Sequence, residues 1–600
     1  MLMNILGVSA EYHDSSAALV VDGRLVAAAA EERFTGLKHD SSLPRFAIEA
    51  CLREGGLEAR DLDKIVFYED PALKFTRVLG STLAEFPRSA LEFSEAMRSW
   101  LGRKLWISGR LSSLLGVDAS RVGVGSHHES HAAQAFFTSP FEDAAIVTVD
   151  AVGEWTSTCI AHGTRAEGIA VIEEIPYPHS LGLVYAAFTA FLGFRPNDAE
   201  CSTMALAAFG APIYADKVRK VLRPHSNGSY DVDPHMFRFL ATDGRIFTER
   251  FGQLFGIPRD PRHALRFNAW ERLEDPNSAE REYANIAASI QCVLEEVLLG
   301  LTKRAQMLTG SKNLCLAGGV AMNAVAVSKL CNNSQFDRIF IPPDPGDGGA
   351  AVGAALAVAH RMGEPIRAEG VYLGAGYETK SATSILRHVD MGRHQHQLAE
   401  YAARYTRLDI REDLDEDIFL DIVTSDLAKG RIVGWFQGRF EFGPRALGNR
   451  SILVDPGNHA SVKRLSQGVK GRAGFRPYAL SLDSTAASRV FNWEKADIPL
   501  PAMRMQTVAT VSDEATTSLR GGLHIDGSTR PQICTEEDNP RFSRLLKNFG
   551  NARGISALLN TSFNSAGYPI VASPLDALLG YLRSDIDVLA LGNSIIRKIS

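Results

Sequence analysis

Four residues in the first half of the chain have types and spacing suited to holding a divalent metal ion. The run Ser126-His127-His128-Glu129-Ser130-His131 sets His127 and His131 four apart, so on a helix they share one face. Neutral imidazoles on adjacent turns can ligate one ion. Asp150 closes the apolar run AAIVTVD, and Asp347 is bracketed by glycines in Pro345-Gly346-Asp347-Gly348-Gly349. Two imidazoles with two carboxylates suit iron, manganese or zinc. His128 is rotated by roughly 100° on the same helix and is the weaker candidate. Spacing alone leaves a second reading open, a helix start whose histidines only pack or make polar contacts. The metalloprotease pattern HExxH is absent, because only Ser130 separates Glu129 from His131.

A second concentration of chemistry lies in the last third. Arg439, Arg445, Arg450, Lys470, Arg472 and Arg476 sit among aromatic and Gly-Pro residues in FQGRFEFGPRALGNRS and KGRAGFRP. Guanidinium forks bind phosphate bidentately, and glycines let backbone approach it. The alternative is a set of surface arginines paired with acids. The interleaved aromatics favour an ordered phosphate-binding loop. Gly318 and Gly319, in AGGVAMN ending at Asn323, mark a strand-to-helix turn whose N–H groups suit a nucleotide or acyl phosphate. Glycine pairs also serve close packing. Asn560, Ser562 and Asn564 cluster after an apolar run and suit an adenylate or a polar turn. No Walker loop, nucleophile elbow or Rossmann fingerprint is present.

The elements that would position these groups read as α/β. Residues 4–9, 17–21 and 25–30 form strands, with a polar loop at His13 and a hairpin signal at Asp22-Gly23. By analogy, actin-like folds begin this way. Residues 70–120 read as helical, 144–150 as a buried strand, 284–309 as a long amphipathic helix, and 313–316 and 339–342 as strands. Residues 210–275 read as an insertion or linker. A boundary is expected within 360–405, followed by strands near 432–436, 451–454, 508–511, 557–559 and 588–591. No internal repeat is evident.

The 600 residues carry 64 basic and 70 acidic side chains, a net charge of −6, so no global basic field favours nucleic acid. The apolar fraction of 45 % argues against a mostly disordered chain. Seven cysteines without a CxxC fit a reduced compartment better than a disulfide framework. No cleavable leader is recognisable, and no uncharged apolar stretch reaches the roughly 18 residues of a membrane span. A cytoplasmic protein is the expectation.

Taken together and in order, these segments resemble the O-carbamoyltransferase family that includes the nodulation-factor, cephamycin, novobiocin and tobramycin tailoring enzymes, with a saxitoxin-type branch also similar. GVSAEYHDSSAAL, HHESHAAQAF, VDAVGEW, LAGGVAMN and PPDPGDGGAAVGAA carry the likeness in the first part. FQGRFEFGPRALGNRSI, KGRAGFRPYA, HIDGSTRPQ and LNTSFN carry it in the second. The resemblance implies an ASKHA, actin-like domain over residues 1–365, a boundary over 366–404, and a YrdC-like α+β domain over 405–600. The second domain would form carbamoyl-adenylate from carbamoyl phosphate and ATP with Mg2+. Lys470 and Arg472 match the basic phosphate positions. Arg439, Arg445, Arg450, Arg476 and Arg530 are further candidates, and Asn560, Ser562 and Asn564 match the adenylate-side motif.

The first domain would transfer the carbamoyl group to a hydroxyl of a small natural product. His127, His131, Asp150 and Asp347 match the metal positions, with iron(II) implied, and His13 is placed to act as acid, base or donor. The implied partners are a small acceptor, with neither nucleic acid nor membrane, in a monomer or homodimer. A tRNA threonylcarbamoyl-type transferase and a nucleotide-binding regulatory protein without turnover are the alternatives. Ser202 departs from the usual lysine, Ser466 from asparagine, Ala473 from glutamate, Leu480 from proline and Tyr568 from glutamate.

Overall fold

The computed structural model describes residues 3–87, 89–241, 245–267, 279–368, 370–377, 407–493 and 497–599. Strands β1 (Asn4–Ser9), β2 (Ser16–Val21) and β3 (Arg24–Ala30) form an antiparallel meander. Its second turn is Asp22-Gly23, both at positive φ (50° and 72°), as a tight hairpin requires. β4 (Lys64–Phe67) and β5 (Val122–Val124) then join in parallel, giving the order β3-β2-β1-β4-β5.

The pattern recurs. β6 (Asp143–Val149), β7 (Thr156–Thr164) and β8 (Gly168–Pro176) form a second antiparallel meander. After a small hairpin of β9 (Leu222–Pro224) and β10 (Tyr230–Val232), β11 (Asn313–Ala317) and β12 (Arg338–Phe340) add in parallel. The resulting order, β8-β7-β6-β11-β12, repeats the first sheet's connectivity. The N-terminal part is therefore a doubled unit, the ASKHA-type arrangement expected for it. The sequence shows no repeat because the two copies share hydrogen-bonding topology and not side chains. In both, β-rich buried runs such as ILGVS and AAIVTV supply the apolar faces.

Helices His127–Phe137 and Asp347–Arg361 pack on each other and are almost wholly buried. The second is rich in small residues, and this sets how closely it approaches its neighbours. A Cβ at Gly353 would overlap the Ser130 carbonyl oxygen, and one at Gly7 of β1 would overlap the Ala351 carbonyl oxygen. Gly353→Ala is expected to destabilise the fold by about 2 kcal/mol or more, since packed backbone cannot yield as a flexible side chain can. The urea midpoint reads this out, and an unchanged midpoint would contradict it.

The helix Ala279–Thr309 is long and apolar enough to cross a membrane by length and composition. Glu295 and Glu296 interrupt it, so it is not the uncharged apolar stretch whose absence the sequence showed. Most of its apolar window is buried against the second sheet's core, the environment of a core helix. Within residues 210–275, the described part contributes Phe247, Phe251 and Phe255, which meet Phe188 and Phe191 through edge-on ring contacts and close that core.

The C-terminal part is an α+β unit on one mixed sheet of ten strands. In space they run Arg407–Arg411, Ser594–Ile599, Val588–Leu591, Val433–Phe436, Arg450–Val454, Ala557–Ser562, Ala479–Asp483, Ser528–Cys534, Ala509–Val511 and Phe491–Asn492. Most of the expected boundary 366–404, namely 378–404, lies outside the described residues. Residues 367–368 and 370–374 are bonded to both parts as a strap. Leu25 N donates to Arg367 O at 2.9 Å, and Phe442 N donates to Val371 O at 2.8 Å.

Candidate functional site

Each candidate ligand sits where a strand or helix ends. His127 opens the helix His127–Phe137, and His131 follows one turn later. Asp150 is the first residue after β6, and Asp347 is the first residue of helix Asp347–Arg361 rather than part of a free loop. Gly318 (φ +87°) and Gly319 stand against Val149 and Asp150, so these glycines serve the close approach of β6 and β11 beside the ligand. Ser126 holds the N-cap position, but its side chain makes no capping bond. Glu154 does this work instead, accepting from His127 N at 3.0 Å.

The four side chains converge. His131 Nε2 lies 3.0 Å from Asp150 Oδ2 and 3.3 Å from Asp347 Oδ1, and His127 Nε2 lies 3.4 and 3.6 Å from the same atoms. Ligands held about 2.1 Å from one shared ion in a tetrahedron stand about 3.4 Å apart, so the spacing fits. His131 is fully buried, and neither ring nitrogen makes a well-formed hydrogen bond. A buried imidazole aimed at two carboxylates without bonding them suits a metal ligand.

Burial pushes His127 down, yet Asp347, Asp150 and Glu69 outweigh it and lift the group to about 10. Burial also opposes charge on Asp150, yet both histidines hold its carboxyl well below the usual range. The carboxylate pair thus demands positive charge, which a divalent ion or imidazole protons satisfy. Around this set, His127 Nδ1 lies 3.3 Å from Glu69 Oε2, and Lys74 Nζ is 2.5 Å from the same oxygen. His128 is not part of it, bonding Thr148 Oγ1 at 2.6 Å and the Thr156 carbonyl at 2.8 Å.

The β1–β2 loop brings His13 to the edge of the set. Its Nδ1 is 2.8 Å from Asp14 Oδ2, and its Nε2 faces Asp347 Oδ2 at 3.9 Å. Asp14 is shared with His39, whose other nitrogen meets Asp198 at 2.9 Å. Hydrogen bonds to Asp14 and Asp198 lift His39 to about 10. A raised folded-state value stabilises fully below the unfolded value near 6.5 and is lost as pH rises through about 10. His39→Asn is therefore expected to lower the melting temperature more at pH 6 than at pH 10. An equal loss at both would show that His39 acts uncharged.

A second centre lies on the C-terminal part. Arg445, Arg472, Arg476 and Arg530 draw together, and burial lowers Arg445, Arg472 and Arg530, with neighbouring guanidiniums lowering each further. Neither the Arg445 nor the Arg530 side chain makes a hydrogen bond or ion pair among the described residues, and Arg530 Nε is buried without a partner. Beside them Lys470 Nζ donates to Ser562 O at 2.8 Å and to Asn564 Oδ1 at 2.6 Å. Burial, then Arg472 and Arg476, hold its ammonium far below the usual lysine value. Asn560 lies deeper, bonded to Ser481 Oγ at 2.9 Å and Gln532 Oε1 at 3.1 Å.

Other sequence candidates fall elsewhere. Arg450 is fully buried, 3.6 Å from the Phe436 ring centroid, with its guanidinium bonded to the Gln437, Gly438 and Asn449 carbonyls. Arg439 donates to Gly374 O at 2.8 Å and Val26 O at 3.0 Å, tying the strap to β3. Asn323 caps the helix Ala324–Asn333 and pairs with Gln291. These three groups are engaged within the fold and stand apart from the cationic cluster.

Residues 4–356 match the carbamoyltransferase N-terminus family model, and residues 424–598 match the carbamoyltransferase C-terminus model. The chain belongs to the carbamoyltransferase family. It is 38 % identical over 632 residues to the uncharacterized protein sll1178 of Synechocystis, covering 100 % of this chain and 97 % of that one. It is 33 % identical to the nodulation protein NolNO of Sinorhizobium fredii, covering 98 % of this chain and 79 % of that one. A 3'-hydroxymethylcephem-O-carbamoyltransferase of Amycolatopsis lactamdurans is 27 % identical over 78 % of this chain and 79 % of its own.

In this carbamoyltransferase the helix Glu200–Ala207 stands between the two centres. Burial raises the Glu200 carboxyl, with His13 opposing, while the adjacent Cys201 Sγ accepts from Arg476 Nη2 at 3.2 Å. Sequence reasoning overlooked Glu69, Glu154 and Cys201 as site residues. Glu69 had a usable signal, since it follows a buried strand just as Asp150 does. Cys201 had none, because its partner is 275 residues away.

Proposed function

We propose that the chain is an ATP-dependent O-carbamoyltransferase with two chemically distinct centres. The observation that carries this is the pairing of an acid–imidazole ligand set with an uncompensated guanidinium cluster in one chain of this family. At the C-terminal centre, carbamoyl phosphate loses phosphate to water, and the carbamate oxygen attacks the α-phosphorus of ATP. Carbamoyl-adenylate forms and pyrophosphate leaves, with Mg2+ accompanying ATP. Arg445, Arg472, Arg476 and Arg530 meet the phosphate charge, and Lys470 orders the Asn560–Asn564 segment beside it. Adenylation is needed because carbamate is a poor electrophile until its oxygen carries a good leaving group.

At the N-terminal centre an acceptor hydroxyl attacks the carbamoyl carbon and AMP leaves. His13, with Nδ1 held by Asp14 and Nε2 facing Asp347, is placed to act as acid, base or hydrogen-bond donor toward that hydroxyl. His127, His131, Asp150 and Asp347 would hold a divalent ion, iron(II) in this reading, which supplies Lewis acidity toward the carbamoyl oxygen. The acceptor is a small hydroxylated natural product, as the name of the cephem relative suggests for that protein. The basic cluster lines a buried junction rather than an open stripe, which favours this over a tRNA substrate. A cytoplasmic setting and a monomer or homodimer complete the reading.

The test is pyrophosphate release from ATP with and without carbamoyl phosphate. Dependence on carbamoyl phosphate, with a loss of about 10²-fold in Lys470→Ala, supports adenylation. Release that ignores carbamoyl phosphate, or no release from metal-loaded protein, would overturn it.

A further inference from the structure

Beside the N-terminal centre a cavity of about 130 Å³ opens between the β1–β2 loop and the helices of residues 70–120. Tyr12 and Trp100 are among its apolar walls. The acids on its lining already have cations. Glu11 is paired with Arg103 and Arg110, and Glu69 with Lys74. Arg77 donates Nε to the Glu154 carbonyl at 2.7 Å. Lys104 is different, for it makes no hydrogen bond or ion pair among the described residues. Its Nζ stands 5.6 Å from the Trp100 ring centroid. The cavity therefore offers an aromatic wall and an ammonium without an ion pair among the described residues.

Tyr12 connects this cavity to the chemistry. Lys74 Nζ lies 5.0 Å from its ring centroid on the cavity side, and the His13 ring lies 4.6 Å away. Ligand pockets for whole drug-sized molecules run from about 300 Å³ upward, so this one takes a single ring with its substituents. The geometry points to an acceptor with a planar ring bearing a carboxylate-type anion, the ring on Trp100, the anion on Lys104 and the hydroxyl directed past Tyr12 toward His13. This rests on the O-carbamoyltransferase reading and adds the acceptor's chemical class.

The probes are 4-(hydroxymethyl)benzoate and its neutral analogue 4-(hydroxymethyl)benzamide, titrated calorimetrically into the full metal-loaded chain. The benzoate is expected to bind about 10-fold tighter or more, as a charge-assisted contact requires. Lys104→Gln should erase that preference, and Lys104→Glu should invert it. Carbamoyl-phosphate-dependent pyrophosphate release belongs to the other centre and should persist in both variants. Equal binding of the two probes, binding of neither, or a preference that survives Lys104→Glu would overturn the inference. Pyrophosphate release absent from the unaltered chain would instead remove the adenylation reading, so the two failures are distinguishable.

Discussion

Arg530→Met is expected to raise the melting temperature and, at once, to lower carbamoyl-phosphate-dependent pyrophosphate release by about 10²-fold or more. Arg530 lies on the strand Ser528–Cys534, and its side chain makes no hydrogen bond or ion pair among the described residues. Its Nε is buried and unpartnered. Burial, then Arg445 and Arg472, hold its guanidinium far below the ordinary arginine value. An unpaired buried charge beside like charges opposes folding. Methionine keeps much of the side-chain volume and removes the charge. A relief of about 1 kcal/mol corresponds to about 2–4 °C for a domain of this size. The same charge is what a phosphate would meet, so binding pays where folding gains. A lower melting temperature with unchanged release would identify Arg530 as a structural residue and sink the phosphate assignment.

His131→Ala is expected to separate the two half-reactions. The side chain is fully buried and contributes one of four converging ligand atoms. Outer partners of metal ligands already cost about 10–100-fold in affinity when removed, so loss of a ligand should cost about 10²-fold or more. Metal content by mass spectrometry should fall from near one ion per chain to near none after dialysis. Pyrophosphate release should continue, because the cationic centre is intact, while carbamoyl transfer to any acceptor stops. Full metal retention in His131→Ala would refute the ligand set. Loss of both half-reactions would show the centres to be one.

The candidate ligand set was legible in the sequence because its parts obey local rules. His127 and His131 share a helix face through spacing alone, and Asp150 is a polar residue ending an apolar strand. The basic loop was legible only as composition. Of its arginines, Arg445, Arg472 and Arg476 reach the cluster, whereas Arg439 and Arg450 are bound to carbonyl oxygens. Linear density does not reveal where a long side chain points, and an arginine buried against a ring reads like one facing phosphate. The doubled sheet was equally hidden, since strand order depends on pairing across hundreds of residues.

From sequence alone came the family motifs in their order, the metal-type residues, and the α/β character of buried runs alternating with helices. Those features follow from periodicity and residue chemistry, which act over a few neighbours. Tertiary structure alone decided that Asp347 meets His131 across two packed helices, that Glu69 and Glu154 brace His127, and that Cys201 touches Arg476 between the centres. It also decided that Lys104 stands beside Trp100 without an ion pair among the described residues. Convergence of distant side chains is set by how elements pack, and close packing is a property of the whole chain rather than of any segment.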